Sequence, residues 1–139
     1  METKNKITVR STINSPISKV WSYWTLPEHI TKWCNASDDW HAPRAENNVK
    51  TGGKFLTRME AKDGSIGFDF EGVYDNVVPD KLIEYSMADG RKVNIVFEGD
   101  DKRTSIIETF DPENENPPEF QQKGWQAILD NFKKYTETA

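Results

Sequence analysis

From Gly52 onward the chain alternates apolar and polar positions with period two, and the rhythm persists through most of its second half. Phe55, Thr57 and Met59 alternate with Leu56, Arg58 and Glu60, which predicts a strand with one buried face. Asp63-Gly64 follows as a hairpin signal. Ile66 to Val78 predicts a long, bent strand in which Gly67 and Gly72 mark bulges or close approaches. Pro79-Asp80, Asp89-Gly90 and Gly99-Asp100-Asp101 read as turns. Between and after them lie strands at Leu82 to Met87, at Val93, Ile95 and Phe97, and at Thr104 to Phe110. Consecutive strands joined by tight turns make an antiparallel meander.

The flanks change period. Ile7, Val9, Ser11 and Ile13 form an apolar face on a first strand. Ser15-Pro16 reads as an N-cap followed by a first-turn proline. Val20, Trp21 and Trp24 give a short amphipathic helix that Pro27 ends, and Glu28 to Trp33 fits a second. Residues 35–50, around Asp38-Asp39-Trp40-His41 and Pro43, read as polar and irregular. At the other end, Asn114 to Pro118 gives a stop and a start. Phe120, Gly124, Ile128, Phe132 and Tyr135 then recur at helical spacing, with Trp125 and Leu129 beside them. This helix of roughly 20 residues runs ~30 Å. Its aromatic face must lie across the sheet to be buried.

The expected fold is α+β. Residues 1–139 form one domain in which a curved antiparallel sheet of six or seven strands grips a long C-terminal helix, with two short helices after strand 1. A strongly curved sheet cannot pack flush along a straight helix. A gap is expected where the short helices and residues 35–50 meet the sheet. Gly124 costs ~1 kcal/mol relative to Ala inside a helix. It is read as a close approach to the sheet, with space for a ligand as the alternative.

Composition narrows the function. Hydrophobic content is only 35%, yet five Trp, seven Phe and four Tyr supply bulky core groups. Net charge is −5: residues 1–60 carry nine Lys or Arg against six acids, and residues 61–139 nine against seventeen. Neither half presents a basic block, so nucleic acid is not an expected partner. The acidic stretch from Glu108 to Glu119 reads as a solvated loop and helix start, its acids suiting the helix dipole. No apolar run approaches the ~20 residues that span a bilayer, so membrane insertion is not expected. Glu2, Lys4 and Lys6 after Met1 do not resemble a secretory leader, and Cys34 stands alone, so a cytoplasmic location is expected.

Several stretches together resemble one superfamily. They are Ser15-Pro16 to Val20-Trp21, Trp24 to Glu28 with Trp33, Gly52 to Phe55, Asp63-Gly64, Gly72-Val73-Tyr74, Val78 to Leu82, Gly124-Trp125 and Leu129 to Phe132. In this order the chain resembles the START-like, or helix-grip, superfamily, and within it the activator of heat-shock-protein-ninety ATPase homologue group. The resemblance implies the fold strongly. For activity it implies a platform whose members include apolar-ligand carriers, aromatic cyclases and a domain attached to a chaperone activator. That eukaryotic activator carries a separate N-terminal domain, whereas this chain looks like the stand-alone bacterial form.

The leading expectation is a cytoplasmic binding protein for a small hydrophobic or aromatic molecule held between sheet and C-terminal helix. Ligand contacts are expected from Trp24, Trp33, Trp40, Phe68, Phe70, Phe97, Trp125 and Leu129, which flank the expected gap. His41, Arg58 and Tyr85 are candidate polar groups within it. Asp69, Glu71, Asp75 and Glu84 are read as outward-facing. A bulge that turned one of them inward would make it the candidate general base. The alternatives are a protein-interaction module of the chaperone-regulator kind and a cyclase-type enzyme using a polar group in the cavity. No nucleophile elbow, phosphate loop, dinucleotide fingerprint or zinc spacing is present. Accordingly no catalytic residue, metal or cofactor is expected, and Cys34 lacks a partner that would activate it.

Overall fold

The computed structural model describes residues 6–35, 38–113 and 116–138. The N-terminal segment from Met1 to Asn5 and the Asn114-Glu115 part of the expected helix stop lie outside them. Chain order is β1 (Ile7–Ile13), α1 (Ile17–Thr25), α2 (Pro27–Trp33), β2 (Trp40–Asn47), β3 (Lys54–Ala61), β4 (Gly67–Val78), β5 (Leu82–Met87), β6 (Lys92–Gly99), β7 (Thr104–Phe110) and α3 (Pro118–Thr138). The seven strands form one antiparallel sheet in the order β1-β7-β6-β5-β4-β3-β2. All steps but one join sequence neighbours. β1 closes the far edge by pairing with β7, and α1 and α2 fill the long connection from β1 to β2.

β2 is the element that the polar pattern concealed. Its residues fall within the stretch read as irregular, yet Trp40 to Asn47 pairs with β3. The ladder slips between His41 and Arg44, around Pro43, and this breaks the period-two signal. A proline, a register slip and charged Arg44 and Glu46 suit a strand at the free edge of a sheet, where they discourage pairing with another chain. A smaller correction concerns α1. Pro16, not Ser15, occupies the N-cap, and no side chain caps the helix. The Ile17 amide instead donates to the Asp100 carbonyl at 2.9 Å, and the Ser15 carbonyl accepts from the Thr104 hydroxyl at 3.1 Å.

One face of the sheet is concave and buried. Ile13, Val20, Ile83, Ile95, Ile106, Phe110, Leu129 and Phe132 are almost wholly excluded from water. Phe132 packs edge-on against Trp24 and Trp33, with ring centroids 4.9 Å away in each case. Gly72 is a genuine close approach: a Cβ there would lie 2.9 Å from the Phe55 ring and 2.6 Å from the Ser86 carbonyl. The register slip of β4 falls elsewhere, between Tyr74 and Asn76.

The position of α3 follows from its polar side. Gln122, Gln126 and Lys133 donate to the carbonyls of Thr8, Arg10 and Thr12, at 3.3, 3.1 and 2.6 Å. Glu137 accepts from the Asn14 amide at 2.7 Å. The outer edge of β1, which would otherwise present unpaired backbone groups, is therefore covered by the helix. Four helical residues rise ~6 Å, close to the ~6.6 Å of two strand residues. Gln122 and Gln126 thus meet alternate β1 carbonyls. Tied to this edge, α3 packs on β1, α1 and α2, while α2 packs on β2. Among the inner strands, β6 is met by α1 through Trp21 and Trp24 on Phe97.

Candidate functional site

Between these two helical supports lies a cavity of about 310 Å³. Its floor is the concave face of the sheet, with Thr57 from β3, Phe70 from β4, Ile83 and Tyr85 from β5, Ile95 from β6 and Glu108 from β7. Its roof is Trp24, Ile30, Trp33, Trp125 and Ile128 from the three helices. Trp125 is held flat against Phe110, with ring centroids 3.8 Å apart and planes 11° apart. Phe55 meets the Tyr85 ring edge-on at 4.7 Å. Asn131 fastens α3 to the end of α2, donating to the Trp33 carbonyl at 2.8 Å and to Asn35 Oδ1 at 2.9 Å. The Trp33 indole donates to the Tyr23 carbonyl at 2.9 Å, so its ring orientation is fixed.

Glu108 is the principal polar group of the floor. It pairs with Val9 on one side and Ile95 on the other, and its side chain shares their buried face. Only 6% of it is exposed, so its carboxyl is largely removed from water. No described residue donates a hydrogen bond to that carboxyl. Burial pushes its pKa up to about 8, so at neutral pH it is mostly the uncharged acid. Burial, then the nearby Glu108, pushes the Cys34 thiol up to about 12 and the Tyr85 phenol well above its ordinary value. Cys34 accordingly carries no thiolate at neutral pH, and its Sγ contacts Met59 Sδ at 3.9 Å. Tyr74 is pushed up to about 12 by burial, against the opposing effect of its hydrogen bond to Asn47. Asn47 in turn donates to the Thr25 carbonyl at 2.7 Å, joining the edge strand to α1.

The expected ligand contacts divide. Trp24, Trp33, Phe68, Phe70 and Trp125 line the cavity, whereas Trp40, Phe97 and Leu129 do not. Phe97 and Leu129 are core residues, 3% and 1% exposed. Phe97 is enclosed by Trp21 and Trp24, so it sits behind the cavity wall. Trp40 leans on Phe68 at 6.0 Å, outside the cavity. Among the polar candidates only Tyr85 faces inward. Arg58 lies on the convex side, bonded through Nε to Glu60 at 2.9 Å and through a terminal nitrogen to Asp69 at 3.3 Å. His41 is on that same side, 3.8 Å from Glu60.

Gly124 also departs from expectation, since a Cβ there would meet nothing within 4 Å. It is no close approach to the sheet. Phe120, placed on the buried stripe by its spacing, is 65% exposed. Glu108, placed by its acidic surroundings in a solvated stretch, is the group that sequence reasoning missed. The signal was available: Thr104, Ile106, Glu108 and Phe110 share one parity of β7, and all four are buried.

The described residues hold no group of three or more His, Cys, Asp or Glu able to bind a metal ion. Of the polar groups lining the cavity, the Tyr74 hydroxyl donates to Asn47 Oδ1. No helix among the described residues is long and apolar enough to cross a membrane.

A curled sheet around a terminal helix, with an aromatic-lined space between them, defines the helix-grip class of α+β domain. Comparison with known proteins narrows this further. The chain belongs to the family described as "Activator of Hsp90 ATPase homolog 1-like protein", whose model matches residues 14–137. An AHSA1-like protein from Aeromonas hydrophila, solved in solution, is 42% identical, with a TM-score of 0.89 over 96% of this chain and 93% of that one. A protein from Cytophaga hutchinsonii is 58% identical, with a TM-score of 0.83 over 97% and 94%. A Chromobacterium violaceum protein at 22% identity and TM-score 0.80, over 96% and 97%, shares the fold. No curated protein matches the chain.

Proposed function

We propose that the chain is a binding protein for a small hydrophobic or aromatic molecule, held between the concave face of the sheet and the roof formed by α1, α2 and α3. The observation that carries this reading is the unfilled space of about 310 Å³ bounded by tryptophan, phenylalanine and tyrosine rings. Protein interiors are packed to crystal-like density, and a space of this size costs stability unless something uses it. Ligand sites are typically mostly apolar, with a few placed polar groups, and Glu108 and Tyr85 fit that description. Burial of apolar ligand surface supplies affinity at ~25 cal/mol per Å².

Fluorescence titration with the neutral dye N-phenyl-1-naphthylamine tests the reading. One equivalent is expected to bind saturably to the native protein. Thr57→Phe, which fills the floor while keeping cooperative unfolding, is expected to abolish binding. Absence of saturable binding, or binding indifferent to Thr57→Phe, would exclude a cavity ligand.

A further inference from the structure

We propose that the molecule held in this cavity is an organic amine, with an apolar or aromatic body against the rings and its nitrogen on Glu108. The inference rests on the cavity reading and adds the ligand's chemical class. Its first support is geometric. The Glu108 carboxyl faces the cavity with 6% of the residue exposed, and no described residue hydrogen-bonds it. A buried carboxyl without a partner is costly, and its natural complement is a donor brought by the ligand.

The second support is the charge of the walls. Glu46, Glu108 and Glu113 line the cavity, against Arg91 as the lining cation. Arg91 is itself engaged by Asp89, with Nε 2.7 Å from the carboxylate. An anionic ligand would meet the Glu46 and Glu113 carboxylates, the uncharged Glu108 acid and an already paired guanidinium. An amine meets the opposite field. The third support is the ring lining, since Trp24, Trp33, Phe55, Phe70, Tyr85 and Trp125 offer π-faces that attract a cation as well as an apolar body.

Binding carries a proton balance. The free protein holds Glu108 largely as the neutral acid, and the free amine is an ammonium ion. Forming the carboxylate–ammonium pair releases one proton to solvent. Affinity therefore rises about tenfold per pH unit while Glu108 is protonated in the free protein. The titratable and charged groups lining the same cavity are Cys34 at the end of α2, Tyr74 on β4, Tyr85 on β5, Arg91 before β6, Glu46 on β2 and Glu113 after β7, of which Cys34 and Tyr85 lie near enough to feel the charge of Glu108. Cys34, Tyr74 and Tyr85 are raised above their ordinary values and do not titrate near neutrality.

The experiment is calorimetric titration with 2-phenylethylamine and its uncharged analogue 3-phenylpropan-1-ol, with N-phenyl-1-naphthylamine displacement run in parallel. The amine is expected to bind about tenfold or more tightly than the alcohol, to gain about tenfold between pH 6 and pH 7, and to release one proton. Glu108→Gln is expected to remove the preference for the amine over the alcohol and the proton release. Dye binding with equal affinities for amine and alcohol, or an amine affinity flat with pH, overturns the amine inference and leaves the cavity reading standing. Loss of both dye and amine binding by the native protein overturns both.

Discussion

Glu108→Gln is expected to make the ligand-free protein more stable, and increasingly so as the pH rises. An ordinary glutamate titrates near 4.5, whereas burial holds Glu108 to about 8. Between those values the folded state keeps a proton that the unfolded chain has released. The contribution of Glu108 is thus fully present below pH 4.5 and is lost as pH rises toward 8, by about 1.4 kcal/mol per pH unit. By pH 7 the accumulated loss is on the order of 3 kcal/mol. Gln cannot ionise, so the variant escapes this loss while keeping nearly the same shape. Urea unfolding followed by circular dichroism between pH 4.5 and 8 reads the difference. Asp63, held low by Ser65, and Asp100, held low by the Lys102 and Arg103 amides, lower stability as pH falls, but equally in both proteins. The variant and the native chain are expected to coincide near pH 4.5 and to diverge steadily above it. A difference independent of pH would refute the claim that Glu108 is buried without a partner.

Further substitutions test the packing account. Gly124→Ala places a methyl where nothing lies within 4 Å, so it is expected to stabilise the helix by about 0.5–1 kcal/mol in thermal unfolding. Phe132→Ala empties a site that is 0% exposed and is expected to cost about 3–5 kcal/mol by urea unfolding. Phe68→Ala, at a residue 49% exposed on the cavity wall, is expected to cost under about 1 kcal/mol while weakening dye binding. Asn47→Ala removes the donor to the Thr25 carbonyl and a partner of the Tyr74 hydroxyl, and is expected to cost about 1–3 kcal/mol.

The fold was legible because the strands from β3 to β7 keep their period and their turns carry Gly or Asp at the required places. Gly64 and Gly90 adopt φ of 78° and 91°, and Asp80 one of 66°. β2 was hidden because Pro43 and the slip beside it erase alternation along an edge strand. The site was only partly legible. Aromatic residues announce burial but not whether they meet a side chain or a void. Phe97 and Phe70 look alike in sequence, yet Trp21 and Trp24 enclose the first and the second lines the cavity. That distinction depends on α3 being drawn to the β1 edge by Gln122, Gln126 and Lys133, a long-range arrangement that no local pattern encodes. Parity was the stronger guide where it applied. It places Arg58 with Leu56 and Glu60, away from Phe55 and Thr57, and it places Glu108 with Ile106 and Phe110.

The central claim is that a guest enters the space between roof and floor. Methyl-resolved NMR on isoleucine-labelled protein, titrated with N-phenyl-1-naphthylamine, tests it most directly. Ile30, Ile83, Ile95 and Ile128 line the cavity, whereas Ile13 and Ile106 are buried elsewhere in the core and Ile66 is on the surface. The account predicts saturable shifts of the first four methyls at one equivalent, with Ile13, Ile106 and Ile66 unmoved. Shifts confined to Ile66, or no saturable change at the cavity methyls, would contradict it.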